Sequence, residues 1–354
     1  MIKIIAEAGV NHNGDINIAE KLIDAAAEAG ADAVKFQTFE AEKLVTRDAK
    51  QASYQTDNMG ETLSQYEMLK QLELTRDHFV HLKNYCDSKE IEFLSTPFDE
   101  DSVDFLVEDI GVQRIKIGSG DLTNVPFLYH IATKQIPIIL STGMAEIHEI
   151  QEALSYIAYG YAGEINMEPE EIADFYHTQE AQQLLKDYVT LLHCTTAYPT
   201  PPESVNLLSI PYLRDTFGLD TGFSDHSEGT AVPIASVSYY PAVIEKHFTL
   251  DRNLPGPDHL ASLEPNELKD LVTGVRLAER AQGNYQKALT SLEKENKNPA
   301  MKSLVAKTDI KKGERLTSEN MAVKRPGNGI KPNNYYKYLY AVSDSDFRKG
   351  DLLY

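Results

Sequence analysis

The 354-residue chain is poor in cysteine, in positive charge and in long apolar runs, and each shortage removes a class of protein. Cys86 and Cys194 are its only cysteines. Two are too few for a disulfide framework or a thiolate metal site, and they fit a reducing compartment. No stretch approaches the length of a membrane span. The chain opens on the strand-like Met1-Ile2-Lys3-Ile4-Ile5 instead of a signal peptide, so a cytoplasmic protein is expected. Lys and Arg number 34 against 54 Asp and Glu, a formal charge of −20. That deficit argues against nucleic acid or an anionic membrane as the main partner, because both are held largely by Lys and Arg on phosphates. A GxGxxG after the first β-like run is missing too, which argues against a dinucleotide-binding sheet.

What remains is a composition of 42% hydrophobic and 25% charged residues, enough for a large core. The charge is uneven. Residues 301–354 hold eleven Lys/Arg and six Asp/Glu, or +5, which leaves −25 on residues 1–300. A step of that size suggests a domain boundary.

Eight short β-rich runs alternate with helical stretches: Ile2–Ala6, Ala33–Phe36, Ile91–Leu94, Arg114–Ile117, Pro137–Leu140, Tyr188–Leu192, Thr221–Phe223 and Ala242–Ile244. Between them, segments such as Ala19–Gly30 and Ile147–Tyr159 repeat their apolar residues at helical spacing. Eight strand-helix units in about 280 residues predict an α/β fold, a (β/α)8 TIM barrel. Two connections exceed what a barrel needs. Residues 39–90 carry a loop around Tyr54–Gly60 and two helical stretches, and 161–187 hold seven acidic residues against the single Lys186. The latter reads as a solvated acidic helical insertion. We therefore expect a barrel over 1–283, a polar linker over 284–300, and a small β-rich module over 301–354.

In such barrels the chemistry lies at the carboxyl ends of the strands. Here those ends carry Glu7, Asn11, Lys35, Gln37, Ser95, Lys116, Ser119, Asp121, Ser141, Ser224, His226, Glu245 and His247. Alternate strand residues share a face, so Lys35 with Gln37, Ser224 with His226, and Glu245 with His247 can each face the barrel axis together. In a closed barrel His226 and His247 stand on adjacent strands with Glu7 on the next. Two histidines with nearby carboxylates and no thiolate suggest a divalent metal with open positions, Mn2+ being a natural compromise and Mg2+ or Co2+ able to substitute. Lys35 and Lys116, with the hydroxyls of Ser95, Ser119, Ser141 and Ser224 and the backbone amides near Gly118, Gly120 and Gly143, form an anion-binding lining suited to phosphate and carboxylate.

These blocks, together with Leu94–Asp99, Leu140–Met144, Tyr198–Pro201, Gly222–His226, Ile244–Thr249, Pro255–His259 and Lys324–Gly329, make the chain resemble the bacterial N-acetylneuraminate (sialic acid) synthase family, including its legionaminic acid synthase branch. The resemblance implies that 301–354 is an antifreeze-like (SAF) domain, and that the protein is a domain-swapped dimer in which this domain caps the partner's site. It implies a condensation of phosphoenolpyruvate with N-acetylmannosamine and water, giving N-acetylneuraminate and phosphate. The alternative sugar is 2,4-diacetamido-2,4,6-trideoxymannose, giving N,N'-diacetyllegionaminate. By the same resemblance Glu7, Glu245, Asp121 and Lys116 are the catalytic candidates. Lys35, Lys116 and the four serines would hold phosphoenolpyruvate. Gln37, Asn11, Tyr198 and Asp258 would line the sugar site, joined by Arg325 from the partner subunit, with His226 and His247 on the metal. Asp121 departs from the family's usual Glu by one methylene, a change of roughly 1.5 Å in reach that matters at hydrogen-bond distances. Two other readings stay open: a non-catalytic carbohydrate-binding or ice-binding protein, and a metal-dependent pyruvate aldolase with no need of a phosphate lining.

Overall fold

Runs of aliphatic and β-branched residues long enough for one strand each build the frame of the first part of the chain. The strands are β1 (Lys3–Gly9), β2 (Ala33–Thr38), β3 (Glu92–Pro97), β4 (Ile115–Ile117), β5 (Ile138–Ser141), β6 (Val189–Cys194), β7 (Asp220–Asp225) and β8 (Val243–His247). The computed structural model describes residues 1–50 and 64–354, which fall into two compact units, Met1–Gly283 and Asn284–Tyr354. In the first, the strands lie parallel in the order β3-β2-β1-β8-β7-β6-β5-β4. The first strand pairs with the last, Glu7 opposite His247, and β3 lies beside β4, so the sheet is a barrel as expected. Such strands are buried on both faces, which is why they read as continuous apolar runs.

Most strands run two or three residues beyond their expected ends: β2 to Thr38 instead of Phe36, β8 to His247 instead of Ile244. Polarity marks a strand's end only where the next residue meets water, and here the polar residues continue the pleat into the barrel. The interior is layered accordingly. Ile5, Ala33, Leu94, Ile139, Leu192 and Val243 form an apolar floor. Gly222 belongs to that level: a Cβ there would lie 2.5 Å from the Val243 carbonyl oxygen and 2.6 Å from Leu192 Cδ2. Two residues further along the same strands stand Glu7, Lys35, Thr96, Ser141, Cys194 and Glu245, which the two-residue period aims the same way.

Helices cover the outside. Ile16–Ala29 begins where the Asp15 side chain accepts from the Asn17 amide and stops at Gly30, whose φ of 81° suits glycine. It buries Ala19, Leu22, Ile23 and Ala26 at the spacing seen in the sequence. Full burial of a residue such as Leu22 is worth about 1.5–3 kcal/mol. Between β2 and β3 run helices Ala41–Leu44, Gln65–Leu72 and Arg76–Ser88, while the Tyr54–Gly60 loop lies outside the described residues. The acidic stretch before β6 forms two helices, Pro169–Tyr176 and Gln179–Tyr188, which bury Ile172, Tyr176, Ala181 and Leu185. No helix among the described residues is long and apolar enough to cross a membrane.

In the second unit, β9 (Ser303–Ala306) pairs antiparallel with β10 (Met321–Lys324). Leu304, Ala306, Ile310, Leu316, Met321, Phe347 and Leu353 form its own small core. Residues 291–300, read from sequence as polar linker, are helical, with Thr290 and Glu293 closing a capping box at the start. The helix buries none of its residues, so it has no apolar stripe by which periodicity could reveal it.

Candidate active site

Above the apolar floor the barrel opens into a cavity of about 190 Å3. Four buried charged groups line it, and each comes from a strand end: Glu7, Lys35, Lys116 and Glu245. Lys35 Nζ lies 2.8 Å from Glu7 Oε2 and 3.6 Å from Glu245 Oε2, and it donates to Thr96 Oγ1 at 2.9 Å. Lys116 Nζ lies 3.4 Å from Glu245 Oε1, which also accepts from Ser224 Oγ at 2.8 Å.

The two carboxylates are driven apart by their surroundings. Burial disfavours both anions, but Lys116 and Lys35 together outweigh it for Glu245, whose pKa falls to about 2. Glu7 has Lys35 against it and the Glu245 charge for it, so burial prevails and its pKa rises to about 7. Burial pushes Lys116 down, with Glu245 opposing. Lys35 feels the same burial, yet Glu245 and Glu7 lift it above its ordinary value. The result is one fixed anion, cations on either side, and one carboxyl able to exchange a proton near neutrality.

Further out the cavity is framed by Gln37, Tyr198, His226 and His247. The imidazoles stand 5.4 Å apart, and the Tyr198 ring packs 4.2 Å from His226 and 5.8 Å from His247. His226 Nδ1 lies 2.8 Å from the Thr195 carbonyl oxygen, so in the neutral ring it carries the proton and Nε2 keeps its lone pair. Burial, then the neighbouring His226, keep His247 well below its ordinary pKa, and its enclosed Nδ1 has no hydrogen-bond partner. Burial works against protonation of His226 too, but Cys194, the Thr195 carbonyl and Glu245 outweigh it and raise its pKa above the ordinary value. An imidazole gives a metal its lone pair in the neutral form, which His247 holds with an unpartnered ring nitrogen and which His226 reaches by giving up its Nε2 proton. Among the described residues no group of three or more His, Cys, Asp and Glu could hold an ion. The pair therefore suits an ion that keeps positions for water or substrate oxygens, and not a closed zinc site.

Gly9, at φ +52° on a bulge of β1, leaves a gap beside the cavity. A Cβ there would sit 3.2 Å from Glu7 Oε1, 3.5 Å from Gln37 Nε2 and 3.8 Å from Asp258 Oδ2. Asp258, which follows β8 in the chain, thus joins Glu7 and Gln37, and burial raises its pKa to about 6. Ser119 and Ser141 line the cavity as expected; the Ser141 hydroxyl has no partner, whereas Ser119 Oγ accepts from the Gly143 amide at 3.0 Å. That amide is therefore already engaged.

Other expected residues stand elsewhere. Ser95 does not reach the cavity: it pairs with Phe36, and its hydroxyl meets Thr38 Oγ1 at 2.7 Å on the outer face. Thr96, opposite Gln37, takes the inward position instead. The two-residue period applied to β3 selects Thr96, a signal available in the sequence. Asn11 is buried behind the site, its amide donating to the Phe248 carbonyl at 2.8 Å and to Ser262 Oγ at 3.0 Å. Asp121 closes a short turn, where Asn124 donates to it at 3.3 Å, and does not line the cavity. Arg325 is exposed at the end of β10 in the second unit. Sequence reading missed Thr96, Phe98, Met144, Cys194 and Thr196 among the lining residues. Cys194 Sγ lies 3.8 Å from both His226 Nδ1 and Ser119 Oγ.

Residues 22–287 match the model of the NeuB family, and residues 302–354 that of the SAF domain. The N,N'-diacetyllegionaminic acid synthase of Campylobacter jejuni is 45% identical over 350 residues, 99% of this chain and 98% of the relative. The protein of the same name from Legionella pneumophila is 44% identical over 330 residues, 93% and 87% of the two chains. Among solved structures, the N-acetylneuraminic acid (sialic acid) synthetase of Leptospira borgpetersenii in complex with citrate is similar, with a TM-score of 0.66 and 32% identity over 83% of this chain and 90% of that one.

Proposed function

The chain belongs to the NeuB family, and from that premise we propose that it condenses phosphoenolpyruvate with an N-acetylated amino sugar and water to give a nine-carbon 2-keto acid and phosphate. The observation that carries this reading is the cavity's charge pattern. Two buried lysines flank a carboxylate held ionised at about 2 and a carboxyl poised at about 7. A small trianion such as phosphoenolpyruvate would draw on Lys35, Lys116 and the hydroxyls of Ser119, Ser141 and Ser224, which lie on four different strand ends. A buried polar atom left without a hydrogen bond, such as Ser141 Oγ, costs roughly 1–3 kcal/mol and is what a substrate would satisfy.

C3 of phosphoenolpyruvate bonds to the sugar's aldehyde carbon, whose oxygen takes up a proton to become a hydroxyl. C2 is left electron-poor and is attacked by water. Glu7, deprotonated above about pH 7, accepts one of that water's protons, and the C2–O bond to phosphate then breaks as the C2 hydroxyl gives its remaining proton to the departing phosphate and becomes the keto group. Glu245 stays anionic, steadying the positive charge that develops at C2. Gln37 and Tyr198, which line the cavity, would frame the sugar's side of it, with Asp258 close by across Gly9. Sialic acid synthases require a divalent metal; His226 and His247 would hold it, with Mn2+ the best match, and it would supply Lewis acidity toward the sugar's oxygen. Arg325 would reach the sugar from the partner subunit of a dimer.

For the sugar, the two relatives named as diacetyllegionaminic acid synthases favour 2,4-diacetamido-2,4,6-trideoxymannose over N-acetylmannosamine. Phosphate release with Mn2+, phosphoenolpyruvate and each sugar in turn tests both parts. The higher kcat/KM is expected with the diacetamido sugar. A preference for N-acetylmannosamine reverses the choice of sugar, and no phosphate from either overturns the synthase reading.

A further inference from the structure

The same strand period that turns Glu245 and His247 inward turns Lys246 outward, and likewise Asp225 between Ser224 and His226. Asp225 and Lys246 stand opposite each other in the β7–β8 ladder, one rung beyond Ser224 and Glu245. Both are buried, and Lys246 Nζ meets Asp225 Oδ2 at 2.7 Å. Lys246 Nζ also donates to the Ser227 carbonyl oxygen, and the Ser227 amide donates to Asp225 Oδ1 at 2.9 Å. His226 thus lies between two residues that share one ammonium group anchored in β8, next to His247. The His226 carbonyl is held in addition by the Thr200 amide at 2.8 Å.

We propose that the Asp225–Lys246–Ser227 staple is a positioning device for the two imidazoles: it sets where His226 stands relative to His247 from behind the sheet, without touching substrate. A buried ion pair is often matched or bettered by apolar residues of the same volume, so its retention directly behind two candidate ligands points to geometry. Groups that orient metal ligands from outside the ligand set typically change metal affinity by about 10–100-fold when removed. The proposal rests on the reading of His226 and His247 as metal donors.

The experiment compares the full-length protein with Lys246→Met and with the double variant Asp225→Leu/Lys246→Met, in which no buried charge is left unpaired. Mn2+ binding is followed by the loss of the free-ion electron paramagnetic resonance signal, and the metal-free proteins are labelled with 15N-histidine. The double variant is expected to melt near the parent, to bind Mn2+ about 10–100-fold more weakly, and to lose the single Nδ1–H pattern of His226. Parent-like Mn2+ affinity and parent-like histidine spectra in the folded double variant overturn the proposal. If the parent itself binds no Mn2+, the metal reading fails, and the histidine spectra alone judge the staple: altered spectra support it and unchanged spectra overturn it. Should the double variant not fold, Asp225→Asn, which keeps the side chain's shape, takes its place in both measurements.

Discussion

Along β8, neighbouring residues belong to two buried charge systems of opposite character. On the outer face Lys246 and Asp225 are closed on each other at 2.7 Å, with the Ser227 backbone filling what remains. On the inner face Glu245 sits at 3.4 Å from Lys116 and 3.6 Å from Lys35, retains an oxygen with no hydrogen bond, and shares its field with a carboxyl that titrates near 7. The closed system is at rest when the protein is alone, whereas the open one is completed only by a ligand. Burial and charge are common to both. In the outer network both charged groups are hydrogen-bonded and only the neutral Ser227 hydroxyl lacks a partner, whereas in the inner one carboxylate oxygens of Glu7 and Glu245 lack hydrogen bonds. That satisfaction of charge distinguishes a structural network from a candidate active site.

Halving the outer pair should have the largest effect on stability. Lys246→Met strands a buried carboxylate and should cost about 3–5 kcal/mol in chemical denaturation; a loss below about 1 kcal/mol would mean that the outer pair is not closed as described. Lys116→Met should do the reverse, lowering kcat/KM for phosphate release by about 10²–10³ while costing less stability than Lys246→Met. A variant with parent-like kinetics would remove Lys116 from the chemistry.

The proton-accepting role of Glu7 makes activity depend on pH. Glu7 has a raised pKa in the folded chain, so below about 7 it is protonated and cannot accept a proton. The kcat/KM profile should therefore fall about tenfold per pH unit below that value. Glu7→Gln should abolish the limb along with most activity; an unchanged limb would assign it to another group. Ionising Glu7 in place also costs stability as pH rises from its ordinary 4.5 through about 7, because the folded form binds the proton more tightly. The smallest effect separates the faces of β3. Thr96→Val, which removes a hydrogen bond to Lys35, should lower kcat/KM by about tenfold. Ser95→Ala should leave the kinetics alone and cost about 0.5–1.5 kcal/mol of stability through Thr38. Equal kinetic losses would show that the inner and outer faces are wrongly drawn.

Much of this was legible in the chain. Eight runs of strand length gave the barrel, and the two-residue period placed Lys35 with Gln37, Ser224 with His226 and Glu245 with His247 on one face. The same period would have chosen Thr96 over Ser95, but a serine at a strand end looks like a phosphate ligand whichever way it points. The Ser291–Ala300 helix escaped notice because nothing on it is buried, and hydrophobic periodicity reports only buried faces.

The sequence by itself determined the architecture and which residue types reach the strand ends, because both follow from local pattern: strand length, turn residues and the alternation of side chains. Only the tertiary structure decided how those residues act on one another. Closing β1 against β8 sets Glu7 and Glu245 around Lys35, and the unequal share of Lys116 leaves one carboxyl ionised and the other poised to move a proton. A pKa is a sum of burial and charge over groups hundreds of residues apart, and no local pattern carries that sum.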